Sequence, residues 1–374
     1  MRLLLINFEM DPSSKVLAWQ LRVAVELAAR CEQVVVLTHV LDDDVELPAN
    51  LRAVVFPRLP QRAPWRWIGG RALLNVFVWR ICRKYRLDVC FIHMNMEWAY
   101  RLYPTFALLR IPVLLWYAHG SVTRRLRLAH RCVNRVVTST PEGFRIPSPK
   151  VRIIGQGIDT SVFDLQELAE NRSDIITVGR ISRRKRLELE IEVLAQLRLL
   201  AAEVPFRLRF IGAAITSEDH AYERQLQELA SRLQVGDAVS FAGHSAMTDV
   251  PSHYRTAFLH LNVSRTGSMD KSVLESLACG CPVLTSNNAF RGAFADHPDW
   301  LIDDESPTAI ARHVLTQYEG RHQIDRRALR ACVTGKHDLV RFVDQLMVQL
   351  RDMVGDQGDT SSAVPGAVAL QRMS

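Results

Sequence analysis

The sequence predicts an α/β protein built from two parallel-sheet domains, and three observations carry that expectation. Short apolar runs alternate with longer segments of helical spacing, the pattern of strands joined by crossover helices. The chain has 374 residues, enough for two cores of ordinary size. A polar stretch at residues 164–173 interrupts the alternation and reads as a linker. It separates an amino-terminal domain (1–163) from a carboxyl-terminal domain (174–335), followed by an amphipathic helix at 336–353 and a disordered tail at 354–374.

In the first domain, residues 2–7 read as a strand, 16–29 as a helix and 33–38 as a second strand. A basic helix over 71–84 interleaves Leu73, Leu74, Phe77, Val78 and Ile81 with Arg71, Arg80, Arg83 and Lys84; Trp65, Arg66 and Trp67 lead into it. Apolar strands follow at 88–93 and 111–116, then a second basic segment at 124–131. In the second domain, residues 175–178 are a β-branched strand, and a helix with apolar positions at Leu187, Ile191, Leu194 and Leu197 follows. Residues 206–212 and 239–243 are the next strands; Glu275 sits in a short, otherwise apolar helix that stops at Gly280, before a buried strand at 282–284.

Composition narrows the function classes. A content of 48% hydrophobic and 23% charged residues is that of a soluble globular protein. Seven scattered cysteines without metal spacing argue against a disulfide framework or a zinc site and favour a reducing compartment. Residues 3–6 are too short for a signal-peptide core or a membrane span, so a cytoplasmic protein is expected. The net charge of +7 is uneven: residues 1–155 hold about 23 Lys and Arg against about 11 Asp and Glu, roughly +12, leaving the remainder near −5. A basic first half suits anionic lipid headgroups or an anionic acceptor, and the two basic amphipathic segments can lie on a membrane or pack on a sheet. Nucleic acid is not expected, because no binding module or aromatic platform accompanies the charge.

Two motifs carry chemistry. Gly179 and Arg180 end a strand, and Ile181 to Arg186 is expected to open a helix, which places Arg180 and Lys185 on either side of a turn. Such a turn is either a solvated basic loop or an anion site made of cations and helix amides. Glu275 is either a charge favouring a helix dipole or an acceptor for the two hydroxyls of a ribose. Asp42-Asp43-Asp44 and Thr334-Gly335-Lys336 imitate metal and phosphate motifs but lack the surrounding pattern, so neither a metal nor ATP is expected.

Together these segments resemble family 4 glycosyltransferases. Gly179, Arg180 and Lys185 match the family's GR-x4-K turn, while Glu275 and Cys279-Gly280-Cys281-Pro282-Val283 match the second half of its E-x7-E segment and the CG-x-PV step. Residues 153–163 (IIGQGIDTSVF) are similar to the family's element before the linker. The resemblance implies the GT-B fold, two Rossmann-like domains about a cleft with a last helix crossing back. It also implies a retaining, metal-independent hexosyltransferase that moves a sugar from a nucleotide-diphosphate sugar to a glycan or lipid-linked acceptor, without a cofactor. Arg180, Lys185 and the amides of Ser272 and Val273 would then face the diphosphate, Glu275 the ribose, and Gly179, Gly243 and His244 the nucleotide. His119, after the strand at 113–116, is either a structural histidine or a contact to the donor sugar.

Two departures bear on activity. The first glutamate of E-x7-E falls on Gly267, and the loop after the first strand (EMDPSSK) has no glycine, so Ser13 or Lys15 would have to replace backbone contacts to phosphate. Asp270 is either a substitute carboxylate or a solvated loop residue. A catalytically inactive GT-B-like binding protein is therefore the rival reading; a sugar-nucleotide epimerase would need acid and base carboxylates that the sequence does not place.

Overall fold

The computed structural model describes residues 1–12, 14, 17–42, 44–57, 69–166 and 173–360. The first lobe contains β1 (Arg2–Ile6), β2 (Glu9–Met10), α1 (Trp19–Ala28), β3 (Gln33–Thr38), β4 (Val40–Leu41) and β5 (Leu51–Val55). It continues through α2 (Gly69–Tyr85), β6 (Val89–His93), α3 (Glu97–Arg101), α4 (Tyr103–Leu109), β7 (Val113–Trp116), α5 (Arg124–Cys132), β8 (Arg135–Thr138) and β9 (Val151–Ile153). The second lobe runs β10 (Asp174–Val178), α6 (Leu187–Leu200), β11 (Arg207–Ile211), α7 (Ser217–Arg232), β12 (Val239–Gly243), α8 (Val250–Thr256), β13 (Leu259–Asn262), α9 (Lys271–Ala278) and β14 (Val283–Thr285). Helices α10 (Pro307–Glu319), α11 (Arg326–Thr334) and α12 (Leu339–Thr360) close the described chain.

Both main sheets are parallel. The seven-stranded sheet has the order β5-β3-β1-β6-β7-β8-β9 and the five-stranded sheet the order β12-β11-β10-β13-β14. β1 shows no polar alternation because helices cover both faces: Leu4 and Ile6 enter one apolar layer, Leu3 and Leu5 the other. Likewise Ile175 and Ile176 of β10 point to opposite layers of the second lobe. Strand order reverses between β10 and β13, and a crevice opens at the carboxyl ends of strands at such a reversal.

Several boundaries differ from expectation. α2 packs on the sheet through Leu74, Val78 and Ile81, whereas Leu73, counted among its packing residues, is 65% exposed. α12 starts at Leu339 and continues to Thr360, so residues 354–360 are helical rather than part of a tail; Met353 and Val354 still pack against the first lobe. Ser13, Lys15, Asp43, Trp65, Arg66, Trp67 and the positions 167–172 and 361–374 lie outside the described residues.

α12 crosses back from the second lobe to the first. Phe342, Val343, Leu346, Met347 and Leu350 are buried against α1 and the sheet, with Phe342 edge-on to Trp116 at 5.1 Å. Arg30 of the first lobe binds Asp344 at 2.7 Å.

Candidate active site

The reversal point of the second sheet gathers the motif residues. β10 runs directly into Gly179, whose N–H donates to Ile211 O at 2.9 Å, and Gly212 N–H donates to Gly243 O at 2.7 Å. The ends of β10, β11 and β12 therefore lie close together. A Cβ on Gly212 would stand 2.1 Å from Gly179 O, so only glycine allows this approach. Gly179, Arg180, Gly212 and His244 line a cavity of about 110 Å³ here, and Gly243 ends β12 just before His244.

The turn after Arg180 is not the start of a helix. Arg183–Lys185 form a single 3₁₀ turn, Arg186 is left-handed at φ 56°, and α6 begins at Leu187. Arg186 is held in that conformation by Glu305 at 2.7 Å, and Leu187 N–H donates to the Tyr222 hydroxyl at 2.9 Å. The tight turn folds Lys185 back beneath β10, with its Cε 3.4 Å from where a Gly179 Cβ would be.

Lys185 reaches Asp270, Nζ to Oδ2 3.2 Å, and both side chains are largely buried. Asp270 is not a solvated loop residue: Asn262 Nδ2 at 3.1 Å, Ser264 Oγ at 2.5 Å and Thr266 Oγ1 at 3.2 Å also donate to it. Burial pushes its carboxyl up, but the Lys185 charge and the bonds from Ser264 and Asn262 outweigh burial and hold it below the usual range. Asp270 thus fixes the ammonium in place.

Glu275 lies in the second half of the eight-residue α9, where a carboxylate gains nothing from the helix dipole. That alternative falls. Burial raises the carboxyl from its ordinary value, opposed by the charges of Lys271 and Lys185 and by the Tyr254 hydroxyl. Lys271 ties the lobes together: its Nζ donates to Gly157 O at 3.0 Å and lies 3.3 Å over the Trp19 ring. At the amino end of α9, Val273 N–H is already bonded to Asp270 O at 3.3 Å, so it is not the open phosphate donor the sequence suggested. The Ser272 hydroxyl, by contrast, is buried with no hydrogen-bond partner among the described residues.

Arg180 turns aside. Its Nε and Nη2 both donate to Asp219 Oδ2, at 2.9 and 2.6 Å. Burial raises the Asp219 carboxyl, but bonds from Thr216 and Arg180 overcome this and bring it to about 2. Asp219 escaped the sequence reading, although Thr216-x-x-Asp219 is a capping box visible in the sequence.

His119 meets the second lobe, its Nε2 lying 2.7 Å from Arg184 Nη1, while Ser121 N–H points to Nδ1 at 3.1 Å. Burial and then the Arg184 charge push the imidazole below its ordinary value. A neutral ring offers one acceptor, so only one of these contacts is a hydrogen bond. His119, Ser121, Arg145, Arg183, Arg184 and Arg265 surround a cavity of about 380 Å³ with Gly267 at its margin. Arg145, Arg184 and Arg265 were not foreseen. They sit in unrelated segments, and no local spacing links them.

Among the described residues, no group of three or more His, Cys, Asp or Glu side chains is placed to hold a metal ion, and no helix is long and apolar enough to cross a membrane. The profile of the glycosyl transferases group 1 family matches residues 161–331, the segment that carries Arg180, Lys185, Asp270 and Glu275. The matched segment runs from before β10 into α11 and contains the whole reversal point.

Relatives of known name are distant. The chain is 24% identical over 292 residues to an alpha-monoglucosyldiacylglycerol synthase of Streptococcus pneumoniae, covering 68% of this chain and 60% of that protein. It is 28% identical over 208 residues to a D-inositol 3-phosphate glycosyltransferase of Geodermatophilus obscurus, covering 54% and 45%. The matches therefore span about half the length of these relatives. In fold, the chain is similar to Anabaena Alr3699/HepE solved with UDP and glucose (TM-score 0.75, 16% identity, 94% of this chain and 99% of that one). It is equally similar to the sucrose-phosphate synthase of Thermosynechococcus elongatus (TM-score 0.76, 16% identity, 95% and 99%). The two lobes together form the GT-B fold.

Proposed function

We propose that this chain is a glycosyltransferase that moves a sugar from a nucleotide-diphosphate sugar to a glycan or lipid-linked acceptor, with retention of configuration and without a metal, in polysaccharide or glycoconjugate biosynthesis. The observation that carries the reading is the Lys185–Asp270 pair beside Glu275, at the strand reversal of the segment that the group 1 profile matches. Breaking the anomeric carbon–oxygen bond puts negative charge on the departing diphosphate. An ammonium fixed by a buried carboxylate meets that charge without reorganising. Glu275, whose carboxyl burial raises against the opposing charges of Lys271 and Lys185, accepts bonds from the ribose hydroxyls. Closure of the two lobes over the donor excludes water from it. Relatives support this reading: HepE was solved with UDP, and the streptococcal synthase is named for making a monoglucosyl lipid.

A thermal-shift panel of UDP, GDP and ADP sugars identifies the base, and a transfer assay with the stabilising donor tests the roles. Lys185→Ala and Glu275→Gln are expected to cut turnover about a hundredfold or more with the fold retained. Near wild-type turnover by both would overturn the assignments. Gly267 favours the rival of a non-catalytic nucleotide-sugar-binding protein, which predicts tight donor binding with no release of free sugar in the absence of acceptor.

We place the protein in the cytoplasm, in peripheral contact with an anionic membrane surface. The support is a row of exposed Leu73, Val76 and Trp79 on α2, with Leu108 on α4 nearby, among Arg80, Arg83 and other cations.

A further inference from the structure

The 380 Å³ cavity between the lobes carries a charge imbalance that the proposed donor chemistry does not use. Five guanidinium groups border it, from Arg145, Arg183, Arg184, Arg186 and Arg265, and its lining contains no Asp or Glu. One carboxylate, Glu305, is shared by Arg186 and Arg265 from outside the lining. The remaining three have no acidic partner among the described residues. Arg183 donates to the Gln225 side-chain carbonyl at 2.6 Å and lies 5.1 Å from the centre of the Tyr222 ring, both neutral groups. Arg184 meets only the His119 imidazole, which burial and Arg184 itself keep neutral. Arg145 forms no hydrogen bond or ion pair among the described residues; its Nη2 lies 3.4 Å from where a Gly267 Cβ would be and 3.3 Å from the corresponding point on Gly120. Glycine at 267 and 120 thus leaves open space where a side chain would have met this guanidinium. The neighbouring cavity shares Arg145 and Arg265 with this one and carries Glu142, Asp303, Asp304 and Glu305, whereas Arg183 and Arg184 line the first cavity and not the second.

Like charges held around one space repel each other, and guanidinium forks from two lobes converge well on a planar carboxylate or a phosphate. We infer that this cavity binds an anionic sugar, one bearing a carboxylate or a phosphate, with Arg145, Arg183 and Arg184 as its charge-matching contacts. The inference rests on the sugar-transfer reading for its location. The anion belongs either to the transferred sugar or to the acceptor, since both must meet between the lobes.

The test titrates the full chain, with and without saturating UDP, by ligand-observed NMR using glucuronic acid, glucose 6-phosphate and glucose; UDP-glucuronic acid is compared with UDP-glucose in parallel. At least tenfold tighter binding of UDP-glucuronic acid than of UDP-glucose assigns the anion to the donor. Equal affinity for these two, with at least tenfold preference for glucuronic acid or glucose 6-phosphate over glucose, assigns it to the acceptor. Either preference is expected to disappear in Arg145→Gln and in Arg184→Gln, both exposed side chains whose replacement leaves the fold intact by circular dichroism, while UDP affinity stays within twofold. No preference for any anionic probe, or a preference that survives both substitutions, overturns the inference. Selective, arginine-dependent binding of the free anionic sugars without any UDP, GDP or ADP binding would instead uphold the anion site and sink the nucleotide-sugar reading.

Discussion

His93, His260 and His337 are buried and held neutral. Burial, reinforced by Lys271 and Lys185 respectively, pushes His93 and His260 down to about 3, with Asp270 opposing at His260; burial and then Lys336 push His337 down to about 4. Between such a folded value and the ordinary 6.5, the unfolded chain binds a proton that the native chain does not. Each histidine therefore contributes stability that is present above pH 6.5 and is lost as pH falls through the window. Glu190 and Glu275, raised by burial, act in the opposite sense above their ordinary 4.5, so the wild-type slope is a difference. Removing one histidine isolates its share. His337→Asn is expected to flatten the pH dependence of unfolding between about 4.5 and 6.5 by up to about 1.4 kcal/mol per pH unit. Urea unfolding across that range checks it, and an unchanged slope would count against a neutral buried His337. At this scale the sequence placed Lys185 and Glu275 at the site but left the partner of each open. Asp270 was visible as a carboxylate three residues past Gly267; that it binds Lys185 follows from β10 and β13 being neighbours in the sheet, 84 residues apart at Thr177 and Leu261.

The element that joins the two lobes is α12. Phe342 is 1% exposed, stands edge-on to Trp116, and comes within 2.9 Å of where a Gly157 Cβ would sit. Phe342→Ala should leave a cavity there and cost about 3–5 kcal/mol, seen as a lower urea midpoint by tryptophan fluorescence. A loss below about 1 kcal/mol would show that α12 is not structural in the first lobe. The helix itself was legible from its spacing, but its ends were not, because packing of Met353 and Val354 extends it beyond the region of clear periodicity. The helix expected at Ile181 failed for a comparable reason. Glu305 and Val263 O, both distant in sequence, hold Arg186 in a left-handed conformation that no local propensity favours.

Taken as a whole, the molecule has a basic first lobe whose helices α2, α4 and α5 carry exposed apolar side chains among arginines. Flotation with phosphatidylglycerol vesicles should recover the protein, phosphatidylcholine vesicles should not, and Leu73→Ser with Trp79→Ser should weaken recovery severalfold. Equal recovery on both lipids would remove the membrane from the picture. The sequence by itself determined that there are two α/β lobes, because strands buried on both faces must be continuous apolar runs and crossover helices must be amphipathic. It also determined the motif turn at Gly179 to Lys185 and the lone carboxylate of α9, since both are local patterns. Only the tertiary structure decided that Arg180 is claimed by Asp219, that Lys185 is claimed by Asp270, and that arginines from three separate segments converge between the lobes. Those outcomes depend on which strands lie side by side and how the lobes meet, and contacts between residues tens of positions apart leave no period or spacing in the chain.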